Sequence, residues 1–320
     1  MTRIDGNLEE FCGLPAYDFP PLPNEEQGEV MPRLPEPDAV AWRLALAGWS
    51  SEEAWSEYFE RFVEAVDVER VRAIIVGLWS DIDDPSQNSA EVVESLLGIR
   101  DRLPALRGLF LGDITSEENE ISWICQSQIS PLLEAFPYLE EFGVRGGQEL
   151  GFDPIRHEHL LQLTVQTGGM PAVAVRGIAA CDFPALTHLD IWLGTPEYGG
   201  DCEVTDLAPI LAGDRLPSLR DLALRNSEIQ DQVCAALASA PVVPRLESLD
   251  ISMGVLTDEG AAALLTGQPL THLAILDMHY NYLSEEMRER LRESLELSGV
   301  ELNLDPDDAG EDWRFVAVGE

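Results

Sequence analysis

Lysine is absent from this 320-residue chain: its 20 basic residues are all arginine, against 59 acidic ones, and the formal net charge is -39. That shortage excludes a nucleic-acid-binding face, which needs clustered Lys or Arg to meet phosphates. It predicts self-repulsion, high solubility and long-range attraction for basic partners. Long apolar runs are missing as well. No stretch approaches the roughly 18 consecutive apolar residues of a membrane span, and Met1 to Glu10 lacks the basic start and apolar run of a secretory signal. Cysteines are few and odd in number, at 12, 125, 181, 202 and 234, without paired spacing. They read as buried free thiols in a reducing compartment rather than a disulfide framework. The expectation is a cytoplasmic protein whose partners include neither nucleic acid nor membrane.

What is present is a repeat. Aligning Leu219, Leu246 and Leu273 gives three units of 27 residues, each opening L-x-x-L-x-[LIM]: Leu219, Leu222, Leu224; Leu246, Leu249, Ile251; Leu273, Leu276, Met278. Ten positions after each opening Leu stands another aliphatic residue, Ile229, Leu256 or Leu283, followed by Gln230-Asp231, Thr257-Asp258 or Ser284-Glu285. The same opening recurs upstream at Leu106, Leu139, Leu160 and Leu186, and in a weaker copy at Val71, Ile74 and Val76. Pro104, Pro137, Pro184, Pro217 and Pro244 each precede an opening Leu by two residues, where proline stops a helix before the next strand. Between these strands lie helical patterns at 90–99, 207–211, 232–237, 259–265 and 285–297, with Asn88, Thr205, Thr257 and Ser284 as caps and Glu286 to Arg290 as a pair four residues apart.

A strand followed by a helix, repeated with the strands parallel, is an α/β solenoid in which each unit buries its apolar face only against its neighbours. Over residues 71–304 the pattern resembles the ribonuclease-inhibitor-like class of leucine-rich-repeat proteins, with Asn281 at the signature Asn position. The resemblance implies a horseshoe with parallel strands on the concave face and helices on the convex face. Ala41-Trp42-Arg43-Leu44, Gly77-Leu78-Trp79, Trp192-Leu193-Gly194 and Tyr198-Gly199-Gly200 are similar to a bacterial family of such proteins, which implies no particular activity.

The ends differ. Residues 1–37 hold seven prolines with little periodicity and read as an extended arm, partly docked through Phe11, Tyr17 and Phe19. Residues 38–70 read as a strand–helix cap, with alternating Val40, Trp42, Leu44 and Leu46 and a capping box of Ser50 and Glu53. Val300, Leu302 and Leu304 make a last strand. Residues 305–320 form an acidic tail whose Trp313, Phe315, Val316 and Val318 are placed to fold back as a second lid.

Residues flanking the core Leu positions point outward from the strands. That set comprises Ile75; Phe110; Glu141 and Arg145; Gln162, Thr164 and Gln166; His188, Asp190 and Trp192; Asp221 and Arg225; Ser248, Asp250 and Ser252; Asp277 and His279. Asp190, Asp250 and Asp277 share one column, interrupted by Ala223. With Trp192, Arg225, His279 and Tyr198 of the glycine-rich loop 194–201, they form a candidate partner-binding surface, Trp192 being the expected anchor. An acidic solvated face produces the same column without function. His157-Glu158-His159 lacks a third metal ligand, and Gly146-Gly147 and Gly168-Gly169 lack a phosphate loop's spacing and lysine, so neither metal nor cofactor is expected. The leading reading is a non-catalytic interaction module or accessory subunit for a protein partner of basic character. Its alternatives are an inhibitor or immunity-type protein neutralising a basic enzyme, and an enzyme or small-ligand binder using the Trp192 and His279 region.

Overall fold

The repeated Leu positions become a ladder of short strands in the computed structural model, which describes residues 6–23, 31–46, 53–80, 87–306 and 313–319. The chain divides into two compact units, Met1–Leu150 and Gly151–Glu320. Among the described residues, no helix is long and apolar enough to cross a membrane.

The first unit runs β1 (Glu10–Phe11), β2 (Leu14–Asp18), β3 (Ala41–Leu44), α1 (Trp55–Ala65), β4 (Ala73–Val76), α2 (Ala90–Gly98), β5 (Gly108–Leu111), α3 (Ser130–Ala135) and β6 (Glu141–Arg145). β2 to β6 pair in chain order and in parallel, and Trp42, Ile74, Leu109 and Phe142 fall on one register line. Trp42 therefore takes the place that leucine fills in later repeats. Beneath it α1 buries Trp55, Tyr58, Phe59 and Phe62, and Phe62 meets Trp42 at 5.6 Å between ring centroids. The Ser50 of the expected capping box lies outside the described residues; Glu57 accepts instead from the Ala54 N–H at 3.4 Å.

The proline-rich arm contributes structure of its own. β1 and β2 form an antiparallel hairpin, and β2 pairs with β3, so the arm extends the sheet past the expected cap strand. It also covers the sheet's outward face. Leu8, Phe11, Cys12 and Ala16 pack on a buried cluster of Leu14, Ala41, Ala73, Ile75 and Phe110. Gly108 leaves room for this contact, since a Cβ there would lie 2.8 Å from the Phe11 ring. Asp113 anchors the arm: its carboxylate accepts from the Leu8 N–H at 3.1 Å and from Arg43 Nε at 2.8 Å, with Arg145 Nη1 at 3.8 Å. Arg145, expected outward, is buried and donates to the Ile114 carbonyl at 2.7 Å.

The second unit runs β7 (Gln162–Gln166), α4 (Ala172–Ala180), β8 (His188–Gly194), α5 (Ala208–Ala212), β9 (Asp221–Ser227), α6 (Gln230–Leu237), β10 (Ser248–Asp250), α7 (Asp258–Thr266), β11 (Ile275–Asp277), α8 (Glu285–Leu295) and β12 (Glu301–Asn303). β7 to β12 pair in order and in parallel, with Leu163, Leu189, Leu222, Leu249, Leu276 and Leu302 in register. The acidic residues of the first two polar pairs, Asp231 and Asp258, have a structural purpose. Asp231 accepts from the Thr257 N–H and hydroxyl, both at 2.8 Å, and Asp258 accepts from the Ser284 N–H and hydroxyl at 2.8 and 2.7 Å. Each acid thus holds the cap of the next helix, satisfying amides that a helix start leaves open.

Thr257 and Ser284 cap α7 and α8 as expected, whereas Thr205 falls inside a short 3-10 turn at Val204–Leu207. The described ion pairs of α8 link Glu285 to Arg288 and Arg292, and Glu289 to Arg292, in place of the expected Glu286 to Arg290. His157 is buried, and its Nδ1 accepts from the His159 and Leu160 N–H groups at 3.3 and 3.0 Å, a turn-forming role. Gly168 and Gly169 allow close backbone approach: Gly169 bridges to Gly194, and the Gly168 carbonyl accepts from the Thr195 N–H at 2.9 Å.

Candidate functional site

Alternation along β8 sends Leu189, Ile191 and Leu193 into the core and His188, Asp190 and Trp192 to the other face. Parallel register then builds columns. Asp190, Ala223, Asp250, Asp277 and Asn303 align across β8 to β12; His188, Asp221, Ser248, Ile275 and Glu301 form the column before it. Trp192 stands beside Arg225.

Ala223, which interrupts the carboxylate column, is where an arginine enters it. Its methyl group leaves space over β9, and Arg225, two residues on, reaches back to sit between Asp190 and Asp250. Arg225 Nε and Nη2 donate to the two Asp190 oxygens at 3.0 and 2.6 Å, and Nη1 donates to Asp250 Oδ2 at 3.0 Å. This is the fork geometry in which guanidinium–carboxylate pairing is strongest. The three side chains are 10–20% exposed. Burial works against the Arg225 charge, but Asp190 and Asp250 outweigh it and hold the guanidinium above its ordinary value. For Asp250 burial is the larger influence, so its carboxyl sits above the usual range despite Arg225 and Ser252.

Asp277 forms the second half of the site. Its Oδ1 lies 2.7 Å from His279 Nδ1 and accepts from the His279 N–H at 3.0 Å, while Oδ2 accepts from Asn303 Nδ2 at 3.1 Å. Burial pushes its carboxyl up, yet the bonds from His279 and Asn303 prevail and leave it below the ordinary value. Below this row, His188 Nδ1 lies 3.1 Å from Asp221 Oδ2, and His188 and Ile275 are exposed.

The expected anchor is corrected by the structure. Trp192 points to the predicted face but is fully buried, with the Arg225 guanidinium 5.2 Å from its ring centroid. Its indole N–H is buried without a hydrogen-bond partner among the described residues. It therefore acts as the floor under Arg225, a cation–π contact worth about 0.5–2 kcal/mol, and the more open groups near it are Asp221, His188 and Ile275. Tyr198 stands apart from this network, half-buried in the turn Pro196–Tyr198, where Gly319 packs against its ring. Ser252, expected on the outward face, and Asn303, which was not, both belong to the site. Ser252 donates to Asp250 Oδ1 from its N–H at 2.9 Å and its hydroxyl at 2.5 Å. Asn303 lies 26 residues after Asp277, one short of the 27-residue repeat, and alternation with Leu302 and Leu304 on the last strand is the signal that would have found it.

No family model matches the chain, and no curated protein matches it. A protein from Bacteroides fragilis, known as a crystal structure, is 30% identical, with a TM-score of 0.75; the match covers 86% of this chain and 76% of that one. An internalin from Listeria monocytogenes is 13% identical with a TM-score of 0.31, covering 76% of this chain and 82% of that one.

Proposed function

The chain belongs to the family of the Bacteroides fragilis protein, and from that premise we propose that it is a non-catalytic leucine-rich-repeat module of the ribonuclease-inhibitor-like class that receives a protein partner on the outward face of β8 to β11. The observation that carries this reading is the Asp190–Arg225–Asp250 network. It fixes charged side chains in one geometry before any partner arrives, and rigid, prepared surfaces bind with less loss of side-chain freedom. Four carboxylates, Asp190, Asp221, Asp250 and Asp277, stand against one arginine here, so the complementary partner segment is basic. Exposed Ile275 adds an apolar contact beside them.

A cytoplasmic setting agrees with the five free cysteines. The narrower reading, an inhibitor of a basic enzyme, is favoured by the net charge of -39. The test is capture of partners by the full chain and by an Asp221→Arg/Ile275→Glu variant, followed by affinity measurement on the purified partner. A partner lost by the folded variant, with affinity falling steeply as salt rises, supports the reading. Equal capture by both forms refutes it. Catalytic inhibition of that partner would select the inhibitor reading.

A further inference from the structure

The outward face of the second unit ends in a row of left-handed residues. Asn226, Met253 and Tyr280 are spaced by one repeat each and have φ of 52°, 65° and 47°. Side chains with short polar groups accept this conformation best, which suits Asn226. Residues 313–319 lie along this rim. The Asn226 side chain grips one residue twice: Oδ1 accepts from the Val318 N–H at 2.9 Å, and Nδ2 donates to the Val318 carbonyl at 2.7 Å. The Met253 carbonyl accepts from the Ala317 N–H at 2.8 Å. The Tyr282 hydroxyl accepts from the Phe315 N–H at 2.8 Å and lies 3.1 Å from the Phe315 carbonyl, to which it donates.

All of these contacts go to the main chain of the segment, so they do not depend on its side chains. Side-chain selection is separate and alternates over 315–318, as an extended chain does. Val316 and Val318 are buried, while Trp313 and Phe315 are 75% and 63% exposed. At the far end a Cβ on Gly319 would lie 2.7 Å from the Tyr198 ring, so that position selects glycine. Arg314 adds a charge over the Tyr282 ring, 5.8 Å from its centroid.

We propose that this rim is a peptide-backbone clamp, at present filled by the chain's own C-terminal segment, that takes an extended Val-x-Val-Gly segment with basic flanks from a different protein. The resident segment defines the side chains that fit. Charge defines the flanks and the source: the surface is acidic, and two copies of a chain with net charge -39 repel each other, which disfavours exchange of tails between copies. The tether also explains how the clamp is regulated. A segment attached to its own site competes at an effective concentration on the order of millimolar, so free ligand enters only when the tail is displaced. Five acidic residues among positions 305–312 load the tether with charge of the same sign as the face, which weakens that hold. The clamp borders the Asp190–Arg225–Asp250 surface but holds the segment through other groups, those of Asn226, Met253 and Tyr282, and either assignment stands if the other fails.

The test uses the full chain, a Val316→Asp/Val318→Asp variant that releases the tail, and a labelled peptide of sequence Trp-Arg-Phe-Val-Ala-Val-Gly followed by fluorescence anisotropy. The released variant is expected to bind the peptide at least tenfold more tightly than the unaltered chain. Adding Tyr282→Phe, which keeps the ring and removes the hydroxyl, should weaken that binding at least fivefold. A chain ending at residue 312 serves as a second released form if the double variant does not fold. No gain on release, or binding indifferent to Tyr282→Phe, overturns the proposal. Sedimentation showing a dimer of the unaltered chain that the released forms lose would assign the clamp to a second copy and overturn the choice of partner.

Discussion

Replacing Arg225 by alanine removes the cation shared by Asp190 and Asp250 and leaves two carboxylates facing each other on the strand face. The pairs are at 2.6 and 3.0 Å, and the side chains are 10–20% exposed, so solvent screening relieves little of the loss. Removing one partner of such a buried pair costs about 3–5 kcal/mol; loss of the cation–π contact to Trp192 adds about 1 kcal/mol. Urea unfolding of the second unit, followed by tryptophan fluorescence at pH 7, should show that combined loss. The pH dependence identifies its origin. Burial already raises the Asp250 carboxyl above its ordinary value, and losing Arg225 takes away the main influence that lowers it. The folded variant therefore takes up a proton before the unfolded chain does, and stability is recovered as pH falls from 7 through that raised value. A triple variant, Asp190→Asn/Arg225→Met/Asp250→Asn, should retain most of the original stability because no charge is left stranded. A loss below about 1 kcal/mol for Arg225→Ala, where a stranded buried charge should cost about 3–5 kcal/mol, would refute the account of the network. So would a loss that stays constant as pH falls from 7 to the ordinary carboxylate value near 3.8.

Asp113→Asn in the first unit should release the arm from Arg43 and Arg145, costing about 3 kcal/mol and exposing residues 6–18 to limited proteolysis that the unaltered chain resists. Gly177→Ala should be among the most damaging methyl additions, because the new Cβ would overlap the Phe152 carbonyl oxygen; failure to express folded protein, or a fall in Tm of several degrees, is expected. The depressed carboxyl of Asp277 contributes stability that is present above its unfolded value near 3.8 and lost as pH falls through the lower folded value. Asp277→Asn should therefore flatten the acid limb of the stability curve below about pH 4, measured by urea midpoints across that range.

The parallel strands were legible because their leucines repeat at fixed distance and prolines mark each entry; Leu222, Leu249 and Leu276 occupy the register that spacing requires. Which outward residues stay accessible was not legible, because cover comes from segments distant in sequence. Ile75 and Phe110 gave the one available signal: apolar side chains on an outward face need a lid, and the arm supplies it. Trp192 gave the opposite impression. It lies buried under Arg225, which bridges Asp190 and Asp250, an arrangement across three strands that no single strand's pattern encodes. The clamp was hidden for a similar reason. Asn226 looks like an ordinary strand end until the tail, 92 residues later, is placed beside it.

The central claim, that the outward face of β8 to β11 is a protein-binding surface, is tested most directly by hydrogen–deuterium exchange of the full chain with and without its purified partner. The account predicts slowed exchange at the ends and flanks of those strands, around His188, Asp221 and Ile275, with β3 to β5 unchanged. Protection confined to the helices or to the first unit would contradict it.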